Sequence, residues 1–359
     1  MSFYRKYRPQ TISELDSEQM STRLAKTFSG GNFPHALLFA GPKGTGKTSA
    51  ARIIAKLINC THKKKSAIKG ISYFEPCNTC DSCLSIIRGN HMDVLEIDAA
   101  SNRGIDEIRD LREKIRLSPG QSAFKVYIID EVHMLTTEAF NALLKTLEEP
   151  PPHAIFILAT TDPDKLPGTI ISRTMLFSFS KAGKRDIMHS LKRVVNSEGI
   201  TISEEILLQI SELADGSFRD ATKILEQALS EGATTLSQFE KIFGKSSSSA
   251  VSVVSLLAKK DTKSLLTILE DLDSSGGDAR KFVSDLLNLL HSILLAYYEI
   301  KTEEDIIKMK NILTVPDIIS LIKLFSTVYP MVKNSSSPVL PVMVAVVEWC
   351  EKKSEKLKV

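Results

Sequence analysis

The sequence predicts a doubly wound α/β domain followed by a wholly helical remainder, and three observations carry that reading. First, five short apolar runs, Ala36–Ala40, Val94–Asp98, Val126–Asp130, Ile155–Ala159 and Met175–Phe179, are each bounded by turn or polar residues, as buried parallel strands are. Second, the stretches between them repeat apolar residues at helical spacing. Over Thr137–Glu149, Phe140, Leu143, Leu144 and Leu147 share one face, and Pro150, Pro151 and Pro152 end the helix because proline cannot continue it. Third, the strand pattern stops near Ser180, after which all periodicity is helical.

At 359 residues the chain is too long for one core, and two or three domains are expected. Ile206, Leu207, Ile210, Leu213 and Ala214 pattern a first helical region. The run Gly244–Ser249 (GKSSSS) reads as a flexible junction, and Ser274–Gly277 and Ser335–Pro338 read as loops. The expected division is residues 1–179 for the α/β domain, with an inserted module at 60–83, then 180–243 and 244–359 for a smaller and a larger helical domain.

Composition is that of a soluble globular protein, 43% hydrophobic and 25% charged. Lys and Arg total 46 against 43 for Asp and Glu, so the net charge is only +3. That excludes a whole-surface electrostatic grip on nucleic acid and leaves a local basic cluster as the means of any such contact. The opening MSFYRKYRPQ has no apolar region behind it, so no signal peptide is expected. The apolar stretch Phe282–Tyr297 is interrupted by Ser284, Asp285, Asn288, His291 and Ser292 and reads as a buried helix, not a membrane span. A cytoplasmic protein without membrane contact is the expectation.

Gly41-Pro42-Lys43-Gly44-Thr45-Gly46-Lys47-Thr48 has the spacing of a phosphate-binding loop between a strand and a helix. Its glycines let backbone N–H groups turn toward phosphates, and the helix that follows, with Ser49 in its first turn, adds its positive end. Lys47 can reach the β- and γ-phosphates of ATP, and the Thr48 hydroxyl can hold Mg²⁺. Val126–Ile129 is an apolar strand that ends in Asp130 and Glu131. Carboxylates there face the ligand crevice of a parallel sheet, Asp130 toward Mg²⁺ and Glu131 toward the attacking water. Either acid alone could instead cap a helix. His133 gives Asp130–His133 the look of a helicase box, but a single histidine at such a turn is ordinarily a hydrogen-bonded packing residue.

Cys77, Cys80 and Cys83 are two residues apart, with Cys60 upstream. Four thiolates suit a closed tetrahedral Zn²⁺ site of structural type, the alternative being free thiols in a reducing compartment. The intervening basic run Lys63–Lys65 reads as a solvated loop, and Cys350, next to Trp349, as core.

Several stretches go beyond these general signals: KVYIIDEVHMLTTEAFNALLKTLEEPP (Lys125–Pro152), ILATTDPDKLPGTIISR (Ile157–Arg173), Tyr7-Arg8-Pro9, Glu96–Ser101 and Gly216–Ala221. Together they resemble the gamma/tau subunits of the bacterial DNA polymerase III clamp loader, strongly from Met1 to about Leu225 and weakly beyond. The resemblance implies an AAA+ ATPase domain, a helical lid and a helical collar. It implies that Thr161 is the sensor 1 residue at the γ-phosphate or its water, and that Arg219 is the sensor 2 arginine of the lid. Arg173 would be an arginine finger reaching the neighbouring subunit, although Ser172-Arg173-Thr174 replaces the family's usual Ser-Arg-Cys. Tyr7, Arg8 and Pro9 would lie beside the adenine, and the cysteine cluster would hold structural zinc. Arg103, Lys145 and Lys165 fall near positions where the family grips the DNA backbone, with the order of polar and basic residues altered at Asn102-Arg103-Gly104.

What the resemblance implies for function is an ATP-hydrolysing motor in a five-member ring with delta and delta-prime subunits and further copies of itself. It would load a sliding clamp onto primed DNA. The lack of a long proline-rich, basic tail suggests the short, gamma-like form. Alternatives remain a helicase-loading or helicase-like DNA-dependent ATPase, or a non-catalytic scaffold subunit of the same ring.

Overall fold

The computed structural model describes residues 2–31, 33–101, 113–233, 235–243, 248–274, 276–300, 312–335 and 337–351. The strands, in chain order, are β1 (Ala36–Ala40), β2 (Lys64–Ile68), β3 (Ile71–Glu75), β4 (Val94–Asp98), β5 (Lys125–Asp130), β6 (Ala154–Thr160) and β7 (Met175–Ser178). Five of them form a parallel sheet in the order β4-β5-β6-β1-β7, and β2 and β3 form a separate antiparallel hairpin. All five runs picked out by sequence are strands of this sheet. The register sets Leu38 against Leu158 and Leu176, and Ile128 against Ile157.

Side chains alternate across the pleat, so each strand feeds two cores. Leu37, Phe39, Val126, Ile128 and Ile157 pack on one face beneath α3 (Lys47–Asn59), which follows α1 (Phe3–Lys6) and α2 (Glu18–Phe28). Leu38, Tyr127, Ile129, Phe156 and Leu158 pack on the other face. After α4 (Asp81–Arg88), α5 (Thr137–Glu148) covers that second face through Phe140, Leu143 and Leu147. Thr136 caps α5, its hydroxyl accepting from Ala139 N. Burying each such side chain stabilises the fold by about 1.5–3 kcal/mol, which is why strands covered on both faces read as unbroken apolar runs.

A short α6 (Gly168–Ile171) precedes β7; α7 (Lys184–Glu198), α8 (Glu204–Leu213) and α9 (Phe218–Ser230) then pack together, followed by α10 (Leu236–Phe243). The chain divides into two compact units, Met1–Ile242 and Phe243–Val359. The second unit holds α11 (Ser248–Lys259), α12 (Thr262–Ser274), α13 (Ala279–Tyr297), α14 (Val315–Asn334) and α15 (Leu340–Glu351) around its own core. The stretch read as a buried helix lies in α13, with Val283, Leu286, Leu290, Ile293 and Ala296 inward. Among the described residues one segment, Val315–Lys333, is long and apolar enough to span a membrane by length and composition. Its Ile318, Leu321, Phe325, Val328 and Val332 recur at helical spacing and lie in the unit's core.

Two details differ from the sequence expectation. Lys64 and Lys65 lie on strand β2, because the alternate residues of the hairpin, such as Tyr73, can be buried against α2 and α3. Cys350 is half-buried at the margin of its core, whereas Trp349 is buried and donates its Nε1–H to Leu257 O at 3.0 Å.

The segment after the undescribed residues 102–112 is anchored by Asp93, only 1% exposed, whose carboxylate accepts from the backbone N–H groups of Gly120 (2.8 Å), Gln121 (2.8 Å) and Ser122 (2.9 Å). Burial opposes its ionisation, but these donors outweigh burial and hold the pKa below the ordinary 3.8. A lowered folded-state pKa means that the stabilisation is complete above the unfolded value and is lost as pH falls through the folded one. Asp93→Asn should therefore cost about 1–3 kcal/mol at neutral pH, seen as a lower urea midpoint, and the deficit should shrink as the pH is taken below about 4.

Candidate nucleotide-binding site and cysteine cluster

The carboxyl ends of β1, β6 and β5 lie side by side, so the loop after β1 and the acids after β5 face one cleft. The loop is glycine-rich for steric reasons. Gly41 has φ +149°, and a Cβ there would sit 2.0 Å from Phe179 O. Gly44 has φ +79°, and its Cβ would sit 2.0 Å from Ser217 Oγ. The second contact matters for architecture: Ser217 caps α9, and the next residue, Phe218, donates its N–H to Gly44 O at 3.0 Å. The helical region thus docks directly on the loop.

Lys47, 6% exposed, donates from Nζ to Gly41 O (2.6 Å) and Pro42 O (2.8 Å). Burial lowers its pKa, while the charges of Glu131 and Asp130 pull it back up. Thr48 Oγ1 donates to Asp130 Oδ2 at 2.8 Å, which places two oxygen ligands suited to Mg²⁺ side by side. Glu131 has φ +48°, an unusual conformation for a non-glycine residue. Its Oε2 accepts from Thr161 Oγ1 (2.7 Å) and Thr161 N (3.1 Å). His133 hydrogen-bonds Thr160 Oγ1 at 2.9 Å, as expected of a packing residue.

Tyr7, Arg8, Pro9 and Arg219 line this open cleft along with Lys43, Gly44, Thr45, Gly46, Lys47, Thr48, Ser49, Asp130 and Glu131, whereas Gly41, Pro42 and Thr161 are not among its lining residues. Residues from Tyr7 to Arg219 thereby meet in one place. Arg173 is not among the lining residues; it pairs with Glu148 at 2.6 Å and donates to Thr169 O at 3.0 Å. Lys145 is exposed on α5, and Lys165 is exposed but paired with Asp162 at 2.8 Å. Arg103 lies outside the described residues.

A family model described as DNA polymerase III, delta subunit, matches residues 16–183, and one described as DNA polymerase III clamp loader subunit, ATPase lid domain, matches residues 186–234. DNA polymerase III subunit gamma of Buchnera aphidicola subsp. Schizaphis graminum is 39% identical over 295 residues, which cover 81% of this chain and 79% of that protein. This chain belongs to the DNA polymerase III gamma/tau family. Subunit tau of Bacillus subtilis is 38% identical over 98% of the chain, and subunit tau of Escherichia coli is 38% identical over 81%. The chain spans 63% and 45% of the lengths of those two tau proteins. The RuvB Holliday junction branch migration motor of Thermotoga maritima aligns over 76% of the chain and 86% of its own, at 14% identity and a TM-score of 0.48, too distant to argue from.

For a gamma/tau chain, the parallel sheet, the phosphate loop and the matched ATPase lid make up the AAA+ class that the resemblance implied. Besides Tyr7, Arg8 and Pro9, two residues that sequence reasoning missed line the cleft from the N-terminal side. Tyr4 lies beneath three cations, with Arg5, Arg219 and Lys223 at 5.6, 5.5 and 5.9 Å from its ring centre. Asp16 is ion-paired to Arg193 of α7 at 2.9 Å, and His189 Nδ1 lies 3.4 Å from its other carboxylate oxygen. No local motif marks these residues, because all their partners but Arg5 lie far away in the chain.

The gamma/tau chain also brings Cys60, Cys77, Cys80 and Cys83 together, with all four sulfurs within 4.8 Å of one another. Tetrahedral Zn–S bonds of about 2.3 Å put sulfurs about 3.8 Å apart, so the donor set fits zinc, Cys60 included despite the hairpin inserted before Cys77. Backbone N–H groups already point at sulfur: Cys77 N to Cys60 Sγ, and Thr79 N and Cys80 N to Cys77 Sγ, at 3.3–3.4 Å. Burial opposes ionisation of Cys77, yet the Thr79 and Cys80 donors bring its pKa down to about 5. Burial pushes the Cys83 thiol up.

Gly44→Ala should strain the loop and lift α9 off it, because both the left-handed backbone and the Ser217 contact oppose a Cβ. We expect a cost of about 1–3 kcal/mol, measured by urea denaturation, together with faster proteolysis within residues 180–243. Unchanged stability and cleavage would show that the loop and lid are not coupled there.

Proposed function

We propose that this chain is an ATP-hydrolysing motor subunit of a clamp loader, which places a sliding clamp on primed DNA for the replicative polymerase. The observation that carries the reading is the convergence of Lys47, Thr48, Asp130, Glu131 and Arg219 in one cleft.

In this reading Lys47 exchanges the carbonyls of Gly41 and Pro42 for phosphate oxygens of ATP. Thr48 and Asp130 would hold Mg²⁺, which would neutralise charge on the phosphates. Glu131 orients the attacking water once its carboxylate is released from Thr161, and Thr161 is then free to meet the γ-phosphate or that water. Phosphoryl transfer needs positioning and charge more than covalent help, so a base that is latched until the site is assembled is a sound arrangement. Tyr7, Arg8 and Pro9 flank the adenine, Ser49 and Lys43 border the phosphates, and Arg219 brings the lid down on them. Arg173, held at the surface by Glu148, is suited to completing a neighbour's site in trans. Lid and neighbour together make the ATP state differ from the ADP state, and only such a difference can drive a cycle.

The partners are delta and delta-prime subunits and further copies of this chain in a five-member ring, with the clamp and primed DNA. Lys145, Lys165 and Arg103 are the proposed backbone contacts, which position DNA without reading its sequence. Residues 1–179, 180–243 and 244–359 serve as motor, lid and collar, Cys60, Cys77, Cys80 and Cys83 hold structural zinc, and the protein works in the cytoplasm. A scaffold subunit of the same ring is the second reading; the complete loop with Lys47 bonded inside it weighs against that role.

The test is steady-state ATPase activity of the chain reconstituted with its clamp-loader partners. Clamp plus primed DNA should stimulate far more than clamp or single strands alone. Lys47→Ala should abolish nucleotide binding, whereas Arg173→Ala should leave it intact and lower the stimulated rate by about 10³-fold or more. Activity indifferent to the clamp would move the assignment to a helicase-like ATPase, and no activity at all would favour the scaffold. Metal analysis should find one zinc per chain, lost in Cys77→Ser with a fall in Tm; a metal-free, equally stable wild type would remove zinc from the account.

A further inference from the structure

We propose that Glu75 and Lys56 are positioning residues for the bound nucleotide, and that through them the cysteine module is wired to the N-terminal wall of the cleft. This rests on the nucleotide-binding reading above and extends it to residues with no part in the chemistry.

The wall is the segment between α1 and α2, which brings Tyr7, Arg8, Pro9 and Asp16 to the cleft. It has no sheet or helix of its own beyond α1, so its geometry must come from elsewhere. On one side the lid holds it: Phe3 N donates to Glu226 at 3.2 Å, Lys6 pairs with Glu198 at 2.8 Å, and Arg193 reaches Tyr7 O at 3.4 Å and Asp16 at 2.9 Å.

On the other side two buried side chains hold it. Glu75, 5% exposed at the end of β3, accepts from Ile12 N and Ser13 N at 2.8 Å each, and from Tyr73 OH at 2.9 Å. Lys56, 1% exposed on the helix that starts at Lys47, donates to Gln10 O, Gln10 Oε1 and Asn78 Oδ1, each at 2.7 Å. All three ammonium donors of Lys56 are thereby used. Asn78 lies between Cys77 and Cys80, at φ +60°. Direct contacts therefore run from the cysteine cluster through Asn78 and Lys56 to Gln10, adjacent to Pro9, while Glu75 ties the inserted hairpin to Ile12 and Ser13.

Buried ionisable groups are a poor means of gaining stability alone, since apolar residues would serve as well or better. What Glu75 and Lys56 provide is directional: donors and acceptors fix backbone atoms of an irregular segment in place. Small displacements of a binding wall are felt in affinity.

The test compares the unaltered chain with Glu75→Gln, Lys56→Met and Asn78→Gly, using a fluorescent ADP analogue for Kd, metal analysis for zinc and urea for stability. Glycine accepts the backbone of Asn78, and Asn78 is no metal ligand, so that variant should fold and keep its zinc. We expect all three to weaken ADP binding by about fivefold or more, the low end of measured couplings between sites. Asp93→Asn, which loosens a different buried carboxylate anchor, should lower the urea midpoint and leave Kd unchanged. Folded, zinc-loaded Asn78→Gly and Glu75→Gln chains that bind within about twofold of wild type would overturn the proposal, as would an equal loss in Asp93→Asn. A wild type that binds no ADP would defeat the nucleotide reading itself. Binding lost in Lys47→Ala but intact in Glu75→Gln and Asn78→Gly would defeat only this inference.

Discussion

Parallel pairing of β6 between β1 and β5 is the constraint from which the site follows. In a parallel sheet all carboxyl ends emerge on one side, and the strands arrive there from well-separated parts of the chain. Here that brings the loop after Ala40, the acids after Ile129 and the threonines at 160 and 161 to one edge. The pairing is held by side chains buried on both faces, so the positions of Thr48, Asp130 and Thr161 are set by the core and not by flexible loops.

On that frame the polar groups at the carboxyl ends of the strands bond one another. Lys47 is bonded to its own loop, Thr48 to Asp130, and Glu131 to Thr161. The positive φ of Glu131 is held locally by the 3.0 Å bond from its N–H to Asp130 and by Thr161.

The cleft's remaining wall is of a different kind. Its N-terminal segment is irregular and has no propensity to hold its own shape, so it is pinned by the lid through Arg193, Glu198 and Glu226 and by the hairpin and cysteine module through Glu75 and Lys56. Its exactness is borrowed from its neighbours, in contrast to the loop at Gly41–Thr48, whose shape is its own.

The sequence by itself determined the elements whose cause is local. Strands buried on both faces must be apolar runs, and α5 must stop at Pro150–Pro152. The loop declares itself because Gly41 and Gly44 occupy backbone positions or close approaches that a Cβ would not tolerate. The cysteine set was legible from spacing, since thiolates that share a metal must be few residues apart or be brought together by a turn. Tertiary structure decided the rest. The hairpin at 64–75 was hidden in a basic stretch because only Tyr73 and its neighbours, packed against α2 and α3, make it a strand pair. Asp16, Glu75 and Lys56 are unremarkable letters in sequence; each owes its role to a partner dozens or hundreds of residues away, and hydrogen bonds of that range have no local periodicity to betray them.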